Sequence, residues 1–148
     1  MKNTHFIQEI TAIDTYPVRH AILRAGKPIE SCHFVGDELS STHHFGYYIT
    51  TELIGVISLF EAENTTFEQQ KSFQIRGMAV LESHQKKGIG EALVREAETF
   101  CKKQKTTLIW FNARTSAVGF YKKMGYEIEG NEFEIQEVGP HFLMYKKI

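Results

Sequence analysis

Hydrophobic and polar positions along this chain fall into strand-like runs and three helical stretches. Phe6 to Ile10 predicts a short first strand, and Asp14 offers an N-cap for a helix running through Val18, Ala21, Ile22 and Leu23 to a stop at Gly26. Residues 27–42 carry little pattern and predict loop. Tyr47 to Thr50 and Leu53 to Phe60 are rich in β-branched and aromatic residues, with Thr51 and Glu52 between them, and predict a hairpin. A polar loop over Ala62 to Lys71 follows. Phe73 to Val80 then reads as a strand with Gly77 in its interior, where an isolated glycine marks a bulge or a close approach. From Ile89 the period becomes helical: Ile89, Ala92, Leu93, Ala97, Phe100 and Cys101 share one face, while Glu91, Arg95, Glu98, Lys102 and Lys103 lie elsewhere. Thr107 to Phe111 predicts another strand. Ala117, Phe120, Tyr121 and Met124 recur at i, i+3, i+4 and i+7, with Ser116 as a cap and Gly125 as a stop. Tyr126 to Ile128 and Phe142 to Lys146 predict two last strands. This order predicts an α/β fold, a mixed sheet with helices on it in three layers.

Composition narrows the function. At 148 residues the chain predicts one domain, 1–148. Its 42% hydrophobic and 24% charged residues exclude disorder and collagen-like repeats. A net charge of −1 gives no support for nucleic acid, whose phosphates call for an excess of Lys and Arg. Apolar runs of four or five residues, such as Leu108 to Phe111, fall far short of the ~20 a membrane span needs. Met1 to His5 lead into no apolar run of a secretory signal. Cys32 and Cys101 are expected as free thiols, so a cytoplasmic location is the expectation, with no membrane partner. The seven histidines show no metal spacing, and His43 and His44, adjacent on a strand, would face opposite sides. No metal is expected.

The chemistry concentrates in Gln85-Lys86-Lys87-Gly88-Ile89-Gly90, between a strand and a helix. The first four amides of a helix lack internal partners and the helix dipole makes that end positive, so such a loop suits a phosphate or pyrophosphate. Gly90-Glu91-Ala92 lacks the Gly-Lys-Ser/Thr of a P-loop, and Leu93 stands where a dinucleotide fingerprint needs its third glycine. Taken alone, two glycines before a helix also describe an ordinary tight turn.

The wider stretch Val80 to Gly90 resembles the coenzyme A loop of the GNAT superfamily of N-acetyltransferases, Gln/Arg-x-x-Gly-x-Gly/Ala. Glu82 replaces the proline usual two residues after the strand valine. Asn112-Ala113-Arg114 followed by Ala117, Phe120, Tyr121, Gly125 and Tyr126 resembles the family's second signature. The resemblance covers about residues 73–126 well and residues 1–45 hardly at all. It implies a mostly antiparallel mixed sheet, helices on both faces, a splayed central strand pair, and acetyl-CoA as co-substrate in the splay. By the same resemblance, the backbone of Met78, Ala79 and Val80 pairs with the pantetheine and acyl carbonyl, and the amides of Lys86, Lys87, Gly88, Ile89, Gly90 and Glu91 hold the pyrophosphate. The resemblance further implies that Asn112 hydrogen-bonds the pantetheine arm, the alternative being a strand-end polar group satisfying local backbone, and that Tyr121 protonates the departing thiolate, the alternative being a core aromatic beside Phe120 and Met124. A bulge at Gly77 would aim a free N–H at the thioester oxygen, an oxyanion donor worth ~3–4 kcal/mol.

The implied reaction is direct attack of an amine on acetyl-CoA in a ternary complex, the acceptor being a small-molecule or peptide amine. The alternative is a non-catalytic acyl-CoA-binding or regulatory module with the same cradle. An amine is mostly ammonium at neutral pH and needs a base; Glu52, Glu134 and His141 are candidates, as is a water chain. Lys86, Lys87, Lys122 and Lys123 stand as pairs able to attract phosphates, or as plain solvated surface. The acidic run Glu127, Glu129, Glu132, Glu134 and Glu137 reads as the outer face of a hairpin, or as a preference for a cationic amine. Cys101 sits on the apolar helix face and reads as packing, against a cysteine nucleophile. Exposed strand edges leave room for a homodimer.

Overall fold

The structure, a computed structural model, describes residues 3–68 and 70–148. Met1, Lys2 and Gln69, the last within the expected loop 62–71, lie outside the described residues. Ten elements follow in chain order: β1 (His5–Ile10), α1 (Ala12–Leu23), β2 (His43–Ile49), β3 (Glu52–Glu61), β4 (Ser72–Val80), α2 (Ile89–Lys103), β5 (Leu108–Arg114), α3 (Val118–Lys123), β6 (Glu127–Ile135) and β7 (Gly139–Lys147). The strands form one sheet in the order β1-β2-β3-β4-β5-β7-β6, in which β4 and β5 run parallel and their neighbours antiparallel. The expected mixed, mostly antiparallel α/β sheet with helices on both faces is the observed architecture.

Two cores flank the sheet. On one face α2 lays Leu93, Val94, Ala97 and Cys101 against Ile57, Phe73 and Ile75, and α3 adds Tyr121 and Met124 over Phe111. This is the amphipathic face that the sequence announces. On the other face Val18 of α1 packs on Val56 and Ala79. Strand alternation assigns the remaining side chains: Phe111 and Ala113 belong to the α2–α3 core, so Asn112 and Arg114 project to the α1 face.

The bulge expected at Gly77 is present. Val56 pairs with Ala79 but Ser58 pairs with Arg76, so β4 carries one residue more than β3 across this step. Gly77 supplies it at φ +64°, a left-handed conformation that L side chains avoid. The extra residue reverses the alternation of β4. Phe73 and Ile75 face α2 before it, and Met78 and Val80 face α2 after it.

Several boundaries differ from the sequence expectation. Thr11, not Asp14, caps α1: its Oγ1 accepts from the Asp14 amide at 3.3 Å, while Asp14 Oδ2 accepts from the Thr11 amide at 3.1 Å. Asp14 is the reciprocal partner of a capping box, and the sequence makes either residue look like the cap. The β2–β3 turn is centred on Thr50 and Thr51, and β2 begins at His43. Ser116 does not cap α3; it lies within a 3-10 turn, Thr115–Ala117, that leads into the helix without a side-chain cap. Strands β5, β6 and β7 all run longer than expected, because their outward polar residues continue the alternation. Glu98, expected off the core face of α2, is buried, where its Oε2 accepts from the Tyr126 hydroxyl at 2.8 Å and Lys146 Nζ at 3.0 Å. Residues 27–42 hold one 3-10 turn, Ile29–Cys32, and otherwise turns and loop.

Candidate functional site: a cleft through the sheet

Strands β4 and β5 pair only over Ser72–Gln74 and Leu108–Trp110, then diverge. Past that point the facing edges carry unpaired backbone groups into the gap. A cleft of about 680 Å³ opens there, lined from β4, β5, β6, β7, α1 and α3 and by Phe34. Among the residues expected at the site, Met78, Asn112 and Tyr121 line it. Ala79 and Val80 continue β4 beyond it, and Lys86 to Glu91 form a separate patch at the start of α2.

That patch is built from backbone. Lys86 at φ +62° and Gly88 at φ +85° alternate with Lys87, a conformation that turns successive amides toward one side. Gly88 is the N-cap of α2 and no side chain caps that end. The Ala92 amide is the first to find a helical acceptor, the Gly88 carbonyl at 3.1 Å. The six amides from Lys86 to Glu91 donate to no acceptor among the described residues. Gly90, whose backbone is helical, adjoins Met78 and Phe120: a Cβ there would sit 3.7 Å and 3.5 Å from their side chains, ordinary contact. Gly88 is required by its φ; Gly90 is not required by its protein neighbours.

Within the cleft, Tyr121 approaches from the α3 side, its ring centre 4.4 Å from that of Phe111 and tilted by 50° to it. Burial pushes its phenol up to about 12, so it is protonated at neutral pH. Its hydroxyl makes no hydrogen bond among the described residues. His141 approaches from the opposite face, as the cross-strand neighbour of Arg114. Its Nδ1 lies 2.8 Å from the Gly139 carbonyl oxygen. A carbonyl only accepts, so Nδ1 carries the hydrogen and the neutral ring presents Nε2 as a lone pair. Of the three side-chain bases considered from sequence, Glu52 and Glu134 are exposed outside the cleft lining, and His141 alone is in it. The acidic residues of β6 are likewise exposed and do not line the cleft.

The α1 side of the cleft holds residues that no short motif joins. Arg19 is fully buried: its Nη1 donates to Asp37 Oδ2 at 2.7 Å and the Cys32 carbonyl at 2.8 Å, and its Nη2 to Asp37 Oδ1 at 3.1 Å and Ser58 Oγ at 2.9 Å. Ser58 in turn donates to His44 Nδ1 at 2.7 Å, while His44 Nε2 donates to the Asp37 carbonyl at 2.9 Å. Burial tends to raise the Asp37 carboxyl, but hydrogen bonds from Arg19 and the Phe34 amide, with Arg19's charge, outweigh it and hold it below the usual range. Burial pushes the His44 imidazole below its ordinary value, and Arg19's charge adds to this. His43, on the other face of β2, packs at 4.4 Å from the Phe100 ring, as expected for adjacent strand residues. Above the network, the Arg19 guanidinium stacks 3.9 Å from the Phe34 ring centre, and those of Arg76 and Arg24 lie 4.9 Å and 5.4 Å from the same centre. Cys101, by contrast, is packed in the α2 core with its thiol pushed up to about 12 by burial.

Residues 8–126 match the Acetyltransferase (GNAT) family. The chain belongs to that family. It is an acetyltransferase, 31% identical over 142 residues to the uncharacterized N-acetyltransferase YitI of Bacillus subtilis, a match covering 96% of this chain and 95% of that one. The acetyltransferase also shares its fold with solved structures. Ard1 from Thermoplasma volcanium superposes with a TM-score of 0.76 at 20% identity, covering 97% of each chain. An aminoglycoside 6'-N-acetyltransferase complexed with coenzyme A superposes with a TM-score of 0.76 at 15% identity, covering 96% of each. No helix among the acetyltransferase's described residues is long and apolar enough to cross a membrane.

Proposed function

We propose that this acetyltransferase transfers an acetyl group from acetyl-CoA to an amine by direct attack, the two substrates entering the cleft from opposite faces of the sheet. The observation that carries this reading is the row of six unpartnered amides, Lys86 to Glu91, at the start of α2, where Gly90 adjoins the cleft residue Met78. Such a row satisfies a diphosphate without any side chain. The neighbour complexed with coenzyme A supports the choice of ligand. Unpaired groups of β4 from Met78 to Val80 would align the pantetheine, as would Asn112, although its side chain projects to the α1 face.

The chain's own groups then divide the work. His141 Nε2 takes the proton from the amine, whose nitrogen forms the new bond to the acyl carbon as the carbon–sulfur bond breaks. An amide at the Gly77–Met78 bulge donates to the acyl oxygen as charge builds there. Tyr121 donates to the departing sulfur. A phenol near 12 facing a thiol of ~8.5 keeps its proton, so its role is hydrogen-bond donation rather than complete transfer. Tyr121→Phe should therefore lower kcat about tenfold with little change in acetyl-CoA binding. Unchanged kcat would leave Tyr121 a packing residue.

Thermal unfolding with acetyl-CoA, dephospho-CoA, NADH and ATP tests the ligand. A ligand at a hundred times its Kd adds ~2.7 kcal/mol, or roughly 5–11 °C for a chain of this size. A shift specific to acetyl-CoA is expected. No shift, or an equal one with NADH or ATP, overturns the assignment.

A further inference from the structure

Among the described residues three arginines line the cleft, Arg24, Arg76 and Arg114, and no carboxylate does. Their partners set them apart from Arg19 below them. Arg24 donates only to backbone, the Ser31 carbonyl at 3.3 Å and the Leu23 carbonyl at 3.0 Å. Arg76 lies against Phe34 and Phe60, its guanidinium carbon 4.9 Å and 5.0 Å from their ring centres, and makes no side-chain hydrogen bond or ion pair among the described residues. Arg114 is exposed beside His141 and is likewise without a carboxylate. The carboxylate within reach of this group by charge is Asp37, but it is buried and both its oxygens are taken by Arg19 and the Phe34 amide.

A half-buried guanidinium without a counter-ion is costly unless something bound supplies one. A guanidinium fork fits a carboxylate or phosphate bidentately, and contact with both the Phe34 and Phe60 rings restrains that of Arg76 in advance. The arginines lie on the α1 face, opposite the α2 cradle, so they are not placed for the diphosphate of coenzyme A. Ile22, Leu23, Phe34, Ile135 and Val138 line the cleft around them with apolar surface.

We propose that the acceptor is an amine that also carries an anionic group, a carboxylate or a phosphate, on a partly apolar body, with the anion held by Arg76 together with Arg24 and Arg114 and the amine presented to His141. This rests on the cleft being the acetyl-transfer site. Polycationic acceptors are disfavoured, because they would meet three positive charges and no negative one.

The test measures coenzyme A thiol release from acetyl-CoA with matched pairs that differ in the anion: leucine against leucinamide, phenylalanine against phenylalaninamide, and phosphoethanolamine against ethanolamine. The anionic member of at least one pair should be favoured tenfold or more in kcat/KM, and which pair responds separates carboxylate from phosphate. Arg76→Met should raise KM for that member at least tenfold and leave its neutral twin unchanged. Arg114→Gln, at an exposed strand end, provides a second variant that disturbs no packing and should raise the same KM severalfold. Equal or better turnover of the neutral twins, or of spermidine, overturns the proposal. If none of these amines is turned over, stabilisation by N-acetylleucine against N-acetylleucinamide in the presence of coenzyme A decides instead. Selective stabilisation lost in Arg76→Met supports the proposal, and equal or no stabilisation overturns it. Failure of acetyl-CoA itself to stabilise the protein would sink the functional reading rather than the choice of acceptor.

Discussion

The two sides of the cleft are made of different materials. The proposed cradle at the start of α2 is backbone: six amides, one left-handed glycine and a helix dipole, with Lys86 and Lys87 exposed at its rim and the Glu91 carboxylate paired with Arg95 at 2.7 Å. The α1 wall is side chain: a buried Arg19–Asp37–His44–Ser58 network carrying Phe34 and the arginines stacked around it. A backbone site suits a ligand part that never changes, and most substitutions in it alter little. A side-chain wall can be rebuilt one residue at a time, and its charges must balance or find a ligand. Arg19 and Arg76 show both cases on one aromatic ring. The first is balanced by Asp37, and the second is left open to the cleft.

The largest effect should come from unbalancing the buried pair. Asp37→Ala leaves the Arg19 guanidinium buried beside two neutral acceptors, the Cys32 carbonyl and Ser58. Removing one partner of a buried ion pair costs about 3–5 kcal/mol. Urea unfolding should show this loss at unchanged m. The Arg19→Met/Asp37→Ala double variant should lose less than the sum of the singles, since no orphaned charge remains. Strict additivity would mean that the two residues do not act as a pair.

The cradle should behave oppositely, losing ligand rather than stability. Gly90→Glu places a carboxylate at the mouth of the amide row and should weaken acetyl-CoA binding about a hundredfold, roughly 2.7 kcal/mol, with the unfolding midpoint nearly unchanged. Gly90→Ala meets only ordinary contacts and should bind acetyl-CoA within about threefold of the parent. Gly88→Ala meets no atom within 4 Å, yet its φ of +85° should cost about 1–2 kcal/mol of stability. Calorimetric titration beside thermal unfolding separates these outcomes. Equal affinity in Gly90→Glu would remove the diphosphate from this loop.

This contrast in material also explains what could be read from the sequence. Backbone features are local, so the Gly88–Gly90 loop reads from sequence as an anion cradle or a tight turn, with the wider resemblance favouring the first, and Gly77 reads as a bulge or a close approach, of which the bulge is present. The α1 wall joins residues distant in the chain: Arg19 meets Asp37 18 positions away and Ser58 39 positions away. Phe34 and Asp37 lie in a stretch with neither helical nor strand period, so nothing marks them before the chain folds. His141 was legible as a candidate, but its tautomer depends on the Gly139 carbonyl and its partner on the β5–β7 register. Even Thr11 and Asp14 could not be ranked as caps, because a capping box makes each the other's partner.

The smallest predicted effect follows from proton balance in the same wall. His44 is held neutral in the fold, accepting from Ser58 and donating to the Asp37 carbonyl, and its pKa lies below the ordinary 6.5. As pH falls below 6.5, the unfolded chain takes up a proton that the folded chain refuses, so stability is complete above that value and declines below it. The slope approaches but does not exceed about 1.4 kcal/mol per pH unit, and the decline ends once the folded imidazole is also protonated. Asp37, held below its ordinary 3.8, adds its own loss only at more acid pH, as its folded carboxyl becomes protonated. The two losses therefore set in at different pH, that of His44 first. Urea midpoints at pH 7.5 and 5 should differ in the parent, and His44→Asn should flatten that difference while leaving the decline below pH 4 in place. A His44→Asn variant with the full slope would place the titrating group elsewhere and leave the α1 wall balanced by Arg19 and Asp37 alone.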